Sequence, residues 1–228
     1  VPYAQRAMAI DSGGNSYVTG CSSNGSNSDY RTVKYDPSGA VLWTARYNGT
    51  GNNTDVAYAL AVDADDNVLV TGYSIGSSGG YNYATVKYAS DGTPLWVQTY
   101  NGTGNNHDYA NALAVDASGN VLVTGNAYNG SSNDYATVKY ASDGTPLWVQ
   151  TYNGTGNNTD VAYALAVDAS GNVLVTGQSV GSSGGTNYAT VKYASDGTPL
   201  WVQTYNGTGN NTDVAYALAV DASGNVLV

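Results

Sequence analysis

Glutamate and phenylalanine are absent from this chain, which also has one cysteine, one histidine and only seven Lys and Arg together. Without Glu a strong helix former is lost, and all seventeen acidic residues are Asp, which favours turns. Cys21 alone permits neither an intrachain disulfide nor a Cys-based metal cage, and it is read as a small, partly buried residue. The formal charge of −10 and pI near 4.1 exclude the clustered cations a nucleic-acid surface needs. Lys34, Lys87, Lys139 and Lys192 are spread one per repeat and cannot form a basic stripe. No run of eighteen apolar residues exists, so membrane insertion is not expected, and neither end resembles a signal peptide. A chain beginning at Val1 without Met reads as a processed product or a piece of a longer polypeptide.

What is abundant is equally directive. The 42% hydrophobic content argues against wholesale disorder, and 21 Tyr and 29 Gly, with plentiful Val and Thr, point to strands joined by Asx and Gly turns. Trp43, Trp96, Trp148 and Trp201 recur at steps of 52 or 53, as do Asp11, Asp63, Asp116, Asp168 and Asp221. A period of this size marks a solenoid, a propeller or an array.

The unit read from residue 55 divides at turn signals into four short runs, about 57 to 62, 67 to 73, 83 to 88 and 94 to 100. Each has the length and β-branched content of a strand, with hairpin-sized linkers at 63 to 66 and 90 to 93. The first three runs carry apolar or small residues on both parities, so both their faces are expected to be covered. Four-stranded antiparallel meanders stacked around an axis achieve that, and the expected fold is an all-β β-propeller with blades of about 52 to 53 residues. The expected organisation over 1–228 is blade 1 at about 4–54, blade 2 at about 55–106, blade 3 at about 107–158, blade 4 at about 159–211 and a partial blade 5 at about 212–228.

The stretch V-A-Y-A-L-A-V-D-A-S-G-N-V-L-V-T-G, within 158 to 177 and nearly whole within 53 to 72, resembles the SBBP repeat, a β-propeller family, and shares its A-V-D-x-x-G-N core with NHL-type blades. The resemblance implies secreted or surface-exposed prokaryotic proteins in which such domains scaffold or bind, and it brings no catalytic residues with it.

Residues 84–106, 136–158 and 189–211 are identical, which points to recent duplication. A second period of 105 residues runs beneath the first, because the loops at 21–30 and 126–135 are one residue shorter than those at 73–83 and 178–188. A first strand is expected near 5 to 10, and the fifth unit supplies another near 216 to 220 before ending inside its second. A surplus hairpin on a ring, a truncated larger ring and completion by another chain all remain open, and self-association through exposed strand edges is an expected partner mode.

Candidate sites are few. Asp63, Asp65 and Asp66 stand close enough in sequence to suit Ca²⁺, but the sister copies read D-A-S-G-N, which favours an Asx turn. His107 replaces Thr54, Thr159 and Thr212 and has no triad or zinc-motif partner at motif spacing, so it is read as a surface substitution. Trp43, Trp96, Trp148 and Trp201 lie in the fourth strand, where wedging between blades is weighed against stacking on sugar faces. Asn48, Asn52, Asn101, Asn153, Asn157, Asn206 and Asn210 lie in N-x-T triplets, and Asn24 and Asn129 in N-x-S, as candidate glycosylation points. No cofactor and no catalytic residue is expected. The expected function is a non-enzymatic extracellular or cell-surface structural or interaction module, self-assembling through the incomplete blade. The alternative is a multivalent carbohydrate-binding propeller with glycan partners and one site per blade.

Overall fold

The computed structural model describes residues 8–77, 79–209 and 211–228. Among them the chain is all-β. Blade 1 comprises β1 (Met8–Ile10), β2 (Ser16–Ser23), β3 (Ser28–Tyr35) and β4 (Val41–Tyr47). Blade 2 comprises β5 (Asp55–Val62), β6 (Val68–Ile75), β7 (Tyr81–Tyr88) and β8 (Pro94–Tyr100). Blade 3 comprises β9 (Tyr109–Val115), β10 (Val121–Tyr128), β11 (Asn133–Tyr140) and β12 (Pro146–Tyr152). Blade 4 comprises β13 (Val161–Val167), β14 (Val173–Val180), β15 (Thr186–Tyr193) and β16 (Pro199–Tyr205), and β17 (Ala219–Val220) and β18 (Val226–Leu227) form a two-stranded sheet after it. Each four-stranded sheet is an antiparallel meander with its strands in chain order, and the first strands of successive blades pack side by side about the axis.

The fourth strand of blade 2 has the bounds expected from sequence, but the second and third run two residues further, pairing Ile75 with Tyr81. The intervening loop closes tightly because Gly76 N donates to Gly80 O and Gly79 takes a φ of 87°. The expected strand at 216 to 220 shortens to Ala219–Val220, since the ladder to β18 holds only two pairs. The strand expected at 5 to 10 is observed from Met8, its first residues lying outside those described. Cys21 is exposed, which corrects the partly buried placement: it lies on β2 beyond the last pair described with β1, Met8 with Val18.

The core sits between blades. Val68, Val70, Ala84 and Val86 face Tyr17 and Tyr30 of blade 1, while Leu69 and Tyr83 on the opposite parity face Val121, Val123 and Ala136 of blade 3. Val68, Leu69 and Val70 are fully buried, so strand 2 has no wet face, and each such side chain stabilises the fold by about 1.5–3 kcal/mol. Tyrosine hydroxyls cross the seams as well: those of Tyr30, Tyr83 and Tyr135 donate to the carbonyls of Ala84, Ala136 and Ala189 in the following blades.

The two ends of the meanders differ in content. One end carries the D-A-S-G-N and A-S-D-G-T hairpins. The other carries the strand 2–3 loops and the Y-N-G-T-G-N-N connections to the next blade, and it is called the rim here.

Candidate functional site

A bulge in β5, β9 and β13, the inner strands of blades 2, 3 and 4, prepares the site. In blade 2, Ala57 pairs with Gly72 and Ala59 with Thr71, leaving Tyr58 as the extra residue. Asn111 is the extra residue between Ala110 and Ala112, and Tyr163 between Ala162 and Ala164. The bulge brings backbone so close that a Cβ on Gly72, Gly125 or Gly177 would collide with the carbonyl oxygen of Val56, Tyr109 or Val161. The glycine of V-T-G is therefore required by the bulge that swings an inner-strand side chain toward the axis.

These side chains converge. A cavity of about 340 Å³ is lined by Tyr58, Tyr109, Asn111, Asn126, Val161, Tyr163 and Gln178. A second, of about 250 Å³, shares Asn111 and Tyr163 with it and continues along the inner strands past Leu113, Leu165 and Leu218 to Tyr216. Asn111 is fixed by donating Nδ2 to Ala162 O at 2.9 Å, across the seam from blade 3 to blade 4. Among the described residues no charged side chain lines either cavity.

An aromatic cluster adjoins the cleft. Tyr73 lies 5.7 Å from Tyr58 and 5.4 Å from Tyr109, ring centre to ring centre, and 4.8 Å from Tyr81. Tyr81 in turn stacks on His107 at 4.3 Å. Burial, then the neighbouring tyrosines, push the Tyr73 hydroxyl up to about 12, so it is neutral at physiological pH.

The carboxylates next in sequence to cleft residues serve the backbone. Asp108 accepts from Gly102 N and Tyr128 N at 2.6 and 2.8 Å, and Asp160 from Gly154 N and Val180 N at 2.6 and 2.9 Å. Each closes the Y-N-G-T-G loop onto its own blade. Burial raises both above the usual Asp value despite these bonds.

The residues singled out from sequence lie elsewhere. Trp43, Trp96 and Trp148 are half-buried in the seams at the hairpin end, their Nε1 donating to the carbonyls of Ser90, Ser142 and Ser195 in the next blade. Each indole covers a turn glycine: a Cβ on Gly92 would sit 2.9 Å from the Trp43 ring. Trp201 holds the same position in blade 4, paired with Lys192. Asp63, Asp65 and Asp66 do not converge. Asp63 forms a buried ion pair with Lys87 at 2.8 Å and accepts from Asp65 N and Asn67 N, while Asp66 accepts from Ser12 N and Oγ of blade 1 at 3.0 and 2.7 Å.

His107 is exposed at the rim against Tyr81. Asn48, Asn101 and Asn153 are exposed there too, each donating Nδ2 to Asn52, Asn105 or Asn157, whose φ values of 47 to 50° are left-handed. Asn24, Asn129 and Asn206 are also exposed at the rim, and Asn210 lies outside the described residues.

The cleft residues escaped sequence reasoning, which sought motifs shared by all copies. The signal was the reverse. Near-identical blades differ at the three positions that line the cleft: Val56, Tyr109 and Val161; Tyr58, Asn111 and Tyr163; Tyr73, Asn126 and Gln178.

A family model described as a domain of unknown function (DUF5122) β-propeller matches residues 117–146, which supports the propeller part of the resemblance to SBBP and NHL blades. No curated protein matches the chain. Among solved structures, an ulvan lyase bound to a glucuronate–rhamnose 3-sulfate unit is similar at TM-score 0.53 and 12% identity, over 99% of this chain and 66% of that one. A candidate exo-β-1,3-galactanase from Bifidobacterium bifidum is similar at TM-score 0.52 and 11% identity, over 90% of this chain and 72% of that one. A candidate gluconolactonase is similar at TM-score 0.48 and 17% identity, over 87% of this chain, which spans only 62% of its length. The lyase and the candidate galactanase correct the expectation of a chain with no catalytic role. The architecture is shared with proteins described as enzymes, so the missing motif in the sequence is no argument against catalysis.

Proposed function

We propose that the axial cleft binds a neutral saccharide. The observation that carries this is the convergence of Tyr58, Tyr109 and Tyr163 with Asn111, Asn126 and Gln178 on one cavity whose lining, among the described residues, carries no charge. Tyrosine faces pack against the C–H faces of sugar rings, and amides present a donor and an acceptor side by side, as vicinal hydroxyls require. A volume of about 340 Å³ suits a ligand of about one or two sugar rings. Two structures of this architecture are described by the polysaccharides they act on, which agrees with a saccharide ligand, while the lyase's glucuronate–sulfate unit is acidic and lends nothing to its neutrality. The A-V-D-x-x-G-N-V-x-V-T-G pattern makes SBBP-type blades the kinship we favour, and an extracellular or surface location fits a saccharide partner.

A panel of neutral and acidic glycans tests the proposal. Binding to neutral saccharides that is lost in Tyr163→Ala and kept in Trp96→Phe supports the cleft. Failure of every neutral saccharide to bind, or loss on Trp96→Phe alone, overturns it.

A further inference from the structure

We propose that the ligand is an oligosaccharide bound once per chain, running from the axial cleft outward over the rings of Tyr73, Tyr81, His107 and Tyr109 along the seam between blades 2 and 3. This rests on the saccharide reading of the cleft and adds its length, path and stoichiometry.

The rings are continuous with the cleft, because Tyr109 both lines it and lies 5.4 Å from Tyr73 and 5.5 Å from Tyr81. They end at the rim in the Tyr81–His107 stack, whose planes are inclined by 29° and whose His107 side is exposed. The solvent-facing His107 ring, backed by Tyr81, is where a further sugar ring would rest beyond the cleft, with the tilted rings of Tyr73 and Tyr109 on the way to it.

The sister seams show that folding does not need these rings. The same four positions are Cys21, Ser28, Thr54 and Val56 between blades 1 and 2. Between blades 3 and 4 they are Asn126, Asn133, Thr159 and Val161. Blades 2, 3 and 4 share an identical 23-residue segment, yet of the three seams compared two hold small, aliphatic or amide side chains at these positions and one holds four aromatic rings. A site used equally by every blade would repeat with the blades. This one is made by the differences among them, so one ligand per chain follows.

The test is calorimetric titration of the whole chain with cellohexaose, xylohexaose, mannohexaose and β-1,4-galactohexaose and with the matching disaccharides. Tyr81→Thr and His107→Thr are the key variants, since each installs the residue that blade 4 carries at that position, Thr186 or Thr159. Thermal melts confirm that they fold. The expected result is one site per chain and a hexasaccharide bound about tenfold more tightly than its disaccharide. In each variant that gain falls about three- to tenfold while disaccharide binding holds. Equal affinity for both lengths, a gain untouched by the variants, or several equivalent sites per chain overturns the extended path and leaves the cleft standing. No binding by any of the eight probes overturns both.

Discussion

Lys87 and Trp96 donate to the same acceptor: Nζ of one and Nε1 of the other reach the carbonyl oxygen of Ser142 at 3.2 and 3.0 Å. Lys34 and Trp43 share Ser90 O in the same way, and Lys139 and Trp148 share Ser195 O. One carbonyl has two lone pairs, and here both are filled by the preceding blade. Lys87 is held in place by Asp63, and blades 1, 2 and 3 each project a charged arm and an indole that grip the next blade's A-S-D-G turn. Blades are thereby locked in one direction along the array.

Removing the arm should be costly. In Lys87→Met the buried Asp63 loses its cation, and breaking such a pair costs about 3–5 kcal/mol. The double variant Lys87→Met with Asp63→Leu should recover much of that loss, because no charge is then stranded. Urea unfolding of the three variants measures both numbers. Equal stability of the single variant and the parent would remove the latch from the energetics.

The same arms predict acid sensitivity. Burial opposes ionisation of Asp168, but hydrogen bonds from Lys192 and Asn172 outweigh it and lower its pKa to about 2; Asp63 and Asp116 are lowered for the same kind of reason. A carboxyl depressed on folding contributes stability that is complete above its unfolded pKa near 3.8 and is lost as pH falls through the folded value. Asp108 and Asp160 have the opposite sign: raised by burial, they oppose folding when ionised, and that penalty fades as pH falls. Melting temperature should therefore drop between about pH 4 and pH 2 in the parent, and Asp168→Asn should show a shallower drop. Parallel curves would assign acid unfolding to other groups.

The propeller was legible because its cause is periodic. Pro94–Tyr100 could be bounded from the sequence since proline starts the strand and the Asn-Gly loop ends it. The bulge at Tyr58 was not, because an extra inner-strand residue leaves the apolar pattern around it intact, and only its collision with a Cβ at Gly72 betrays it. The lysines read as scattered charges, since the carbonyl each one meets lies 55 or 56 residues further on. Motif reasoning passed over the cleft for a different reason. It weighs what copies share, whereas Tyr109, Asn111 and Asn126 differ from their sisters.

The bulge itself can be tested. Gly125→Ala places a methyl against Tyr109 O, which forces backbone apart and costs about 3 kcal/mol, as overpacking of a close contact does. Asn111 sits on that bulge, so saccharide binding should fall with stability. Gly119→Asp is the control, because blade 2 carries Asp66 there at φ 59°. Chemical denaturation and titration on both variants decide the matter, and indifference of binding to Gly125→Ala would separate the cleft from the bulge.

Asn111→Tyr separates fold from recognition most sharply. Tyr58 and Tyr163 show that the inner-strand bulge accepts tyrosine, so the variant should fold. It loses the bond from Asn111 Nδ2 to Ala162 O, worth about 1 kcal/mol, and places a ring in the space the two axial cavities share. Stability should therefore change by no more than about 1 kcal/mol, while saccharide affinity falls at least about tenfold. Denaturant melts and calorimetry on the same preparation measure both. Unchanged affinity in a folded Asn111→Tyr protein would mean that the ligand does not enter the axis at all.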